Sequence, residues 1–288
     1  MPFTFANIND RSALVQGETF FDLATVSAGA VSSDAMEAIQ DSDLLHHYAA
    51  QLDDYEPSGI IAEADICAPI PHPRNSFGVG LNYQLHVEEA ASKTPSTPMV
   101  FTKFPSCISG PTDDVIMRSD ECDYEGELLV VIGKDGKDIT KEDAWSHILG
   151  LSVGQDFSDR GVQYKDQPAQ FNLGKSFDTF GPTGPYLVST DSFTDPGDLE
   201  IVTTVNGQVR QRDRTSNMIF DIPTLISYIS SITSLAVGDI IFSGTPEGVG
   251  FRNGSFLKDG DIVETTIEGI GTMRNRCVRG TGYSSTPT

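Results

Sequence analysis

Short apolar runs dominate the hydrophobic pattern. FTFANI, SALVQ, a turn around Gly17 and then TFFDLATV read as strands near the start of the chain. A polar helical stretch follows from about Ser33 to Leu52, then a Pro-rich connector from Ala68 to Arg74. The apolar strand SFGVGL comes next and runs into a helical segment that contains His86. ELLVVIG and ILGLSVG are continuous apolar runs of strand length, which marks both as buried. Ile201 to Arg210 reads as a hairpin with Asn206-Gly207 as its type I′ turn. Asp221 is placed to cap a helix that has Pro223 in its first turn and Ile222, Leu225, Ile226 and Ile229 along one face. The strand DIIFSG leads into the Gly-rich loop GTPEGVG.

Strands outnumber helices, and no regular strand–helix–strand rhythm emerges. The expected class is therefore α+β, built around a mixed, mainly antiparallel sheet. The composition shift at the Pro-rich connector divides the chain into a small N-terminal α+β domain (1–70) and a main domain (71–281), with 282–288 as a flexible tail.

The segment DYEGELLVVIG carries the first chemical signal. Alternation puts Glu125, Glu127, Leu129 and Val131 on one face, and Tyr124, Gly126, Leu128, Val130 and Ile132 on the other. Two carboxylates side by side on a buried strand repel each other and resist ionisation unless a cation lies between them. Either a metal binds there, or that end of the strand emerges into solvent. The apolar run ILGLSVGQDF closes on Asp156, which joins the first pair if the two strands share a sheet. Three carboxylates without a nearby thiolate or imidazole form a hard donor set suited to Mg²⁺ or Mn²⁺, with Ca²⁺ as an alternative.

Further candidates are weaker singly. In NYQLHVEEAASK, His86 and Glu89 fall one helical turn apart, so the carboxylate can orient the imidazole as a general base; an ordinary surface helix has the same spacing. Lys175 in FNLGKSFDTFGP is either a solvated lysine or a cation beside the metal. A phosphate-binding loop is excluded there, because Ala169 stands five positions before Gly174, where such a loop needs Gly. GVGLNY likewise departs from the dinucleotide fingerprint.

Composition narrows the partners. The 288 residues hold 41 acidic and 19 basic side chains, a formal charge of −22, which repels nucleic acid and anionic membranes. An anionic substrate then needs local positive charge, which a metal ion supplies. Four scattered cysteines give no zinc or disulfide pattern. With no run of about 18 apolar residues and no apolar leader, a cytoplasmic location is the expectation.

Taken in order, GLNYxxHxxE, DYEGELLVVIGK, GQDFSDR, LGKSFDTFGP, VNGQVRQ, SNMIFDIPTLI and GDIIFSGTPEGVG resemble the fumarylacetoacetate hydrolase family across about residues 75–280. The resemblance implies a core of rolled mixed β-sheet, assembled as a homodimer. It implies metal ligands at Glu125, Glu127 and Asp156, a lid-helix base with its carboxylate partner at His86 and Glu89, and an active-site lysine at Lys175. Arg160, Gln163 and Thr245 match positions that surround the substrate. The additional metal-proximal Asp of the larger fumarylacetoacetate-cleaving members is not found, so acylpyruvate-type members are the nearer relatives. The implied reaction is hydrolysis of a C–C bond in a small 2,4-dioxo acid through a metal-stabilised pyruvate enolate. Oxaloacetate decarboxylation and isomerisation of a 2-hydroxymuconate-type acid need nearly the same groups. A non-catalytic binding module on the same fold is the alternative outside enzymology.

Overall fold

The computed structural model describes residues 1–282. The chain opens with the antiparallel strands β1 (Thr4–Ile8), β2 (Arg11–Gln16) and β3 (Thr19–Asp22). The run TFFDLATV does not stay extended. The Asp22 side chain accepts the Thr25 N–H and starts the short helix α1 (Leu23–Val26). The stretch expected as one helix from Ser33 to Leu52 is broken into α2 (Ala35–Ala38) and α3 (Ser42–Ala49), because Asp34 and Asp41 each cap a new start. Short strands β4 (Gly59–Ile60) and β5 (Ile66–Cys67) close this region.

The remainder supplies β6 (Ser76–Gly80), helix α4 (Gln84–Glu89), β7 (Met99–Thr102), β8 (Ile108–Ser109), β9 (Val115–Met117), β10 (Cys122–Asp123), β11 (Gly126–Ile132), β12 (Ile148–Gln155) and β13 (Ser158–Asp159). After these come α5 (Arg160–Gln163), α6 (Phe171–Gly174), β14 (Gly181–Val188), β15 (Glu200–Val205), β16 (Gln208–Arg214), α7 (Ile222–Ile232), β17 (Ile240–Phe242), β18 (Ile262–Ile267) and β19 (Gly271–Arg279). The expected tail lies outside the described residues, apart from Gly282.

Among the described residues, a 12-stranded sheet runs in the order β4-β3-β2-β1-β14-β12-β11-β17-β6-β7, with β5 and β8 attached to β1 and β14. A 5-stranded sheet, β16-β15-β18-β19-β9, packs against it, and β10 pairs with β13. The pairings are mainly antiparallel; β17 with β6, β14 with β8 and β19 with β9 are parallel. The fold is thus the mixed, mostly antiparallel α+β class read from the sequence. Through β1 and β14 the large sheet continues from the N-terminal region into the rest of the chain, with Phe5 opposite Leu187.

Strand β11 is buried along its whole length, and its two faces enter different cores. Leu128, Val130 and Ile132 pack with Leu225, Ile226 and Ile229 of α7, whereas Leu129 and Val131 pack with Phe5, Leu14 and Leu45 of the N-terminal region. Each such side chain contributes about 1.5–3 kcal/mol of burial, so this strand is a stiff support for whatever its N-terminal end carries. Gly126 begins it because the two sheets approach closely there. A Cβ at this position would lie 2.1 Å from Thr203 Oγ1. In the hairpin β15–β16, Asn206 and Gly207 both have positive φ (52° and 74°), as a type I′ turn requires.

Candidate active site

The antiparallel pairing of β11 with β12 sets Gly126 opposite Gln155. Glu125, Glu127 and Asp156 are therefore gathered at one end of the two strands. The Asp156 N–H donates to the Glu125 carbonyl at 2.9 Å, and the Glu125 N–H donates to Gln155 Oε1 at 2.9 Å. One oxygen from each of the three carboxylates lies within 4.8 Å of the other two, and all three residues are buried. These are hard oxygen donors with no imidazole or thiolate among them, and the set fits a divalent ion of the Mg²⁺, Mn²⁺ or Ca²⁺ type.

The cations are distributed unevenly over these acids. Lys175 Nζ lies 2.7 Å from Glu125 Oε2, 2.6 Å from Asp156 Oδ2 and 2.9 Å from Ser158 Oγ. Arg160 donates from Nη2 to Glu125 Oε1 at 2.6 Å and to Asp123 Oδ2 at 2.7 Å. Burial pushes the Glu125 carboxyl up, but Lys175 and then Arg160 outweigh it and hold that group well below the usual range. Glu127 has no such partner among the described residues. Burial, then the charges of Asp156 and Glu125, raise it well above the ordinary carboxylate value, and only the Gly244 N–H, 2.7 Å from Oε2, supports its anion directly. Lys175 is lowered by burial and raised further by Asp156 and Glu125, so it stays an ammonium.

Helix α4 forms a second wall. His86 Nδ1 is 3.2 Å from Glu89 Oε2, and Glu89 also accepts the Gly248 N–H at 3.1 and 3.2 Å. The loop GTPEGVG thus holds Glu89, and through it His86, in place. Thr245 Oγ1 donates to the Gly126 carbonyl at 2.9 Å and accepts from Gln211 Nε2 at 2.8 Å. Gln163 Oε1 accepts from Arg160 Nη1 at 2.7 Å, and its buried Nε2 has no partner among the described residues. A cavity of about 390 Å³ lies among these groups, lined by His86, Glu125, Arg160, Gln163, Lys175 and Thr245. That volume lies toward the small end of the ligand-pocket range of roughly 300–1,000 Å³.

The structure brings all nine residues singled out in the sequence to this one region. It also adds two. Lys103, on the strand-edge segment TKFP, reaches Asp156 Oδ1 at 2.6 Å and the Phe180 carbonyl at 3.1 Å. Asp123 accepts from Arg160 Nε and from the N–H groups of Gly250 and Phe251 at 2.9, 2.7 and 3.0 Å. No periodicity marks Lys103. Asp123 was visible as a further acid in DYEGE, but its role as the arginine's anchor depends on tertiary contact.

Hard donors gather at the end of a stiff sheet, with a His–Glu dyad across a small cavity and cations between them. The chain belongs to the fumarylacetoacetate hydrolase family: the fumarylacetoacetate (FAA) hydrolase C-terminal profile matches residues 75–278. It is 44% identical over 224 residues to oxaloacetate tautomerase YisK of Bacillus subtilis (strain 168), covering 75% of this chain and 74% of that protein. A crystal structure of a putative HpcE protein from Mycobacterium smegmatis superposes with a TM-score of 0.90 at 38% identity, covering 96% of this chain and 99% of that one. A maleylpyruvate hydrolase from Sphingobium sp. SYK-6, in complex with manganese(II) and pyruvate, gives 0.82 at 28% identity over 96% of this chain and 100% of that one. Among the described residues, no helix is long and apolar enough to cross a membrane.

Proposed function

We propose that this enzyme forms the enolate of a small 2-oxo acid, and that keto–enol tautomerisation of oxaloacetate is its reaction. The observation that carries the reading is the pairing of a base with cations across one small cavity: His86, oriented by Glu89, shares it with Lys175 and Arg160. The name of the Bacillus subtilis relative, an oxaloacetate tautomerase, supports the choice of substrate.

His86 withdraws a proton from C3 of the keto acid, and the electron pair moves toward the C2 oxygen. The Lys175 ammonium, its protons already held by Glu125, Asp156 and Ser158, lowers the energy of that oxyanion by its charge. The proton held on the His86 imidazolium is returned to that oxygen, so one proton has moved from carbon to oxygen and the imidazole is neutral again. The free Nε2 of Gln163 is a donor for a substrate oxygen. Glu125, Glu127 and Asp156 would hold Mg²⁺ or Mn²⁺, with Ca²⁺ as the alternative; when bound, the ion supplies a Lewis acid for the developing enolate.

A second reading is C–C hydrolysis of an acylpyruvate. It is favoured by the same dyad, which can deprotonate a water, and by the likeness to a maleylpyruvate hydrolase. One set of assays separates the readings. With Mg²⁺ or Mn²⁺ present, the enol absorbance of oxaloacetate is followed alongside pyruvate release from oxaloacetate, acetylpyruvate and fumarylpyruvate. Tautomerisation without pyruvate release supports the first reading; pyruvate from the acylpyruvates alone supports the second, and pyruvate from oxaloacetate alone points to decarboxylation. Inertness toward all of these, with no heat on metal titration, leaves a binding module. A homodimer is the assembly the resemblance implies, and light scattering on a sizing column tests it.

A further inference from the structure

The charged groups deep in the cavity are nearly saturated. The Lys175 ammonium has three protons and three acceptors: Glu125, Asp156 and Ser158. Arg160 spends its donors on Asp123, Glu125 and Gln163. Neither is free to be the main partner of a second substrate carboxylate.

Arg252 differs. It follows Phe251 in a single 3₁₀ turn, Phe251–Asn253, and lines the same cavity. Its guanidinium carbon lies 5.3 Å from the Phe251 ring centroid, while that of Arg160 lies 5.6 Å from the same ring. Tyr164 stacks on Phe251 at 4.9 Å with planes 14° apart, which fixes the ring and hence the spacing between the two arginines. Among the described residues no carboxylate lies within ion-pair distance of Arg252. Its hydrogen-bond partner is the neutral Ala90 carbonyl, which also accepts from Ser92 Oγ at 3.3 Å. In a chain with 41 acids and 19 bases, a half-free guanidinium at a cavity wall is a site for an acid from outside.

We propose that Arg252 receives the distal carboxylate of the substrate, so that the site selects 2-oxo dicarboxylates over 2-oxo monocarboxylates. This rests on the reading of the cavity as a 2-oxo acid site. Ala90 caps helix α4, which carries His86 and Glu89. Occupation of Arg252 by a carboxylate is therefore felt by the helix that bears the base.

The test is calorimetric and needs no turnover. Mn²⁺-loaded protein is titrated with 2-oxoglutarate and with 2-oxopentanoate, acids of equal chain length that differ in the distal carboxylate. The wild type binds the diacid roughly 10- to 100-fold more tightly, as expected for a charge-assisted contact. In Arg252→Met, which keeps the stem over Phe251, that gap closes while affinity for the monoacid is unchanged; Arg252→Lys keeps part of the gap. Equal binding of the two acids by wild type, a gap that survives in Arg252→Met, an equal weakening of both acids, or no binding of either overturns the proposal. Failure of the tautomerase reading looks different: both acids bind with the stated gap, yet oxaloacetate is left unchanged.

Discussion

Lys103 and Asp156 form an ion pair with no solvent exposure on either side chain, Nζ to Oδ1 at 2.6 Å. The other oxygen of Asp156 takes Lys175 at the same distance. Around them, four carboxylates (Asp123, Glu125, Glu127, Asp156) face three cations (Lys103, Arg160, Lys175). Fully ionised, the group carries one net negative charge, and a divalent ion turns it into one net positive charge, which suits an anionic substrate. Replacing Lys103 by Met removes one of the two ammonium donors to the buried Asp156, the Lys103 donor to the Lys175 carbonyl, and one of the two donors to the Phe180 carbonyl, which keeps the Phe157 N–H. Such a change costs about 3–5 kcal/mol. The expected result is a lower urea midpoint at unchanged slope; a midpoint equal to wild type would mean that the pair contributes no net stability.

Glu127 would make the proposed metal site pH-dependent. Its carboxyl is held protonated above the usual range by burial and by its acidic neighbours. The sign follows from that. The stabilisation from a raised carboxyl is fully present below the unfolded value and is lost as pH rises through the folded one. A divalent ion needs the carboxylate, so affinity for Mn²⁺ rises with pH over the same interval, and binding releases a proton. Calorimetry in buffers of different ionisation enthalpy measures that proton. Glu127→Gln, a neutral isostere that still accepts from Gly244, is expected to leave metal-free stability at or above wild type and weaken Mn²⁺ by more than about tenfold. Undiminished Mn²⁺ affinity would remove Glu127 from the ligand set.

Helix α7 begins at Asp221, whose carboxylate accepts the Thr224 N–H at 2.9 Å. The helix covers Leu128, Val130 and Ile132 of the strand that supports the carboxylates. Asp221→Ala is expected to lower stability by about 1 kcal/mol, with kcat within twofold of wild type, because the cap lies outside the cavity. A large fall in kcat would show that the helix start communicates with the site.

Glu125, Glu127 and Asp156 were legible because an acid on a buried apolar strand breaks a pattern. The alternation along DYEGELLVVIG gave the shared face of Glu125 and Glu127 directly, Asp156 joined them only on the condition that the two strands share a sheet, and the hairpin turn at Asn206-Gly207 was equally local. Lys103 was not legible. Its importance arises only when β7 pairs with β6 and carries the following lysine over Asp156, a contact between residues 53 apart. Arg252 was hidden for the same reason, since its meaning lies in the acids it does not meet. The break of the expected Ser33–Leu52 helix shows the opposite failure. Local caps at Asp34 and Asp41 outweighed a weak helical pattern.

Gly248 does not line the cavity, yet its N–H holds the carboxylate that orients the proposed base, His86. Its N–H binds Glu89, its carbonyl accepts from Tyr124 Oη at 3.0 Å, and its φ of 103° suits glycine. A Cβ there would fall 2.0 Å from the Arg210 carbonyl oxygen, a backbone atom that cannot turn away. Gly248→Ala must therefore displace the loop and leave Glu89 without its donor, so that His86 loses its fixed orientation. His86→Ala removes the proposed base itself and is expected to lower kcat by about 10²–10⁴-fold. Gly248→Ala and Glu89→Gln are expected to fall between wild type and that limit, with the loss mainly in kcat. In the double variant Gly248→Ala/His86→Ala the glycine change should add little, since its effect runs through the missing imidazole. Fully multiplicative losses would mean that the loop acts on the substrate by another route.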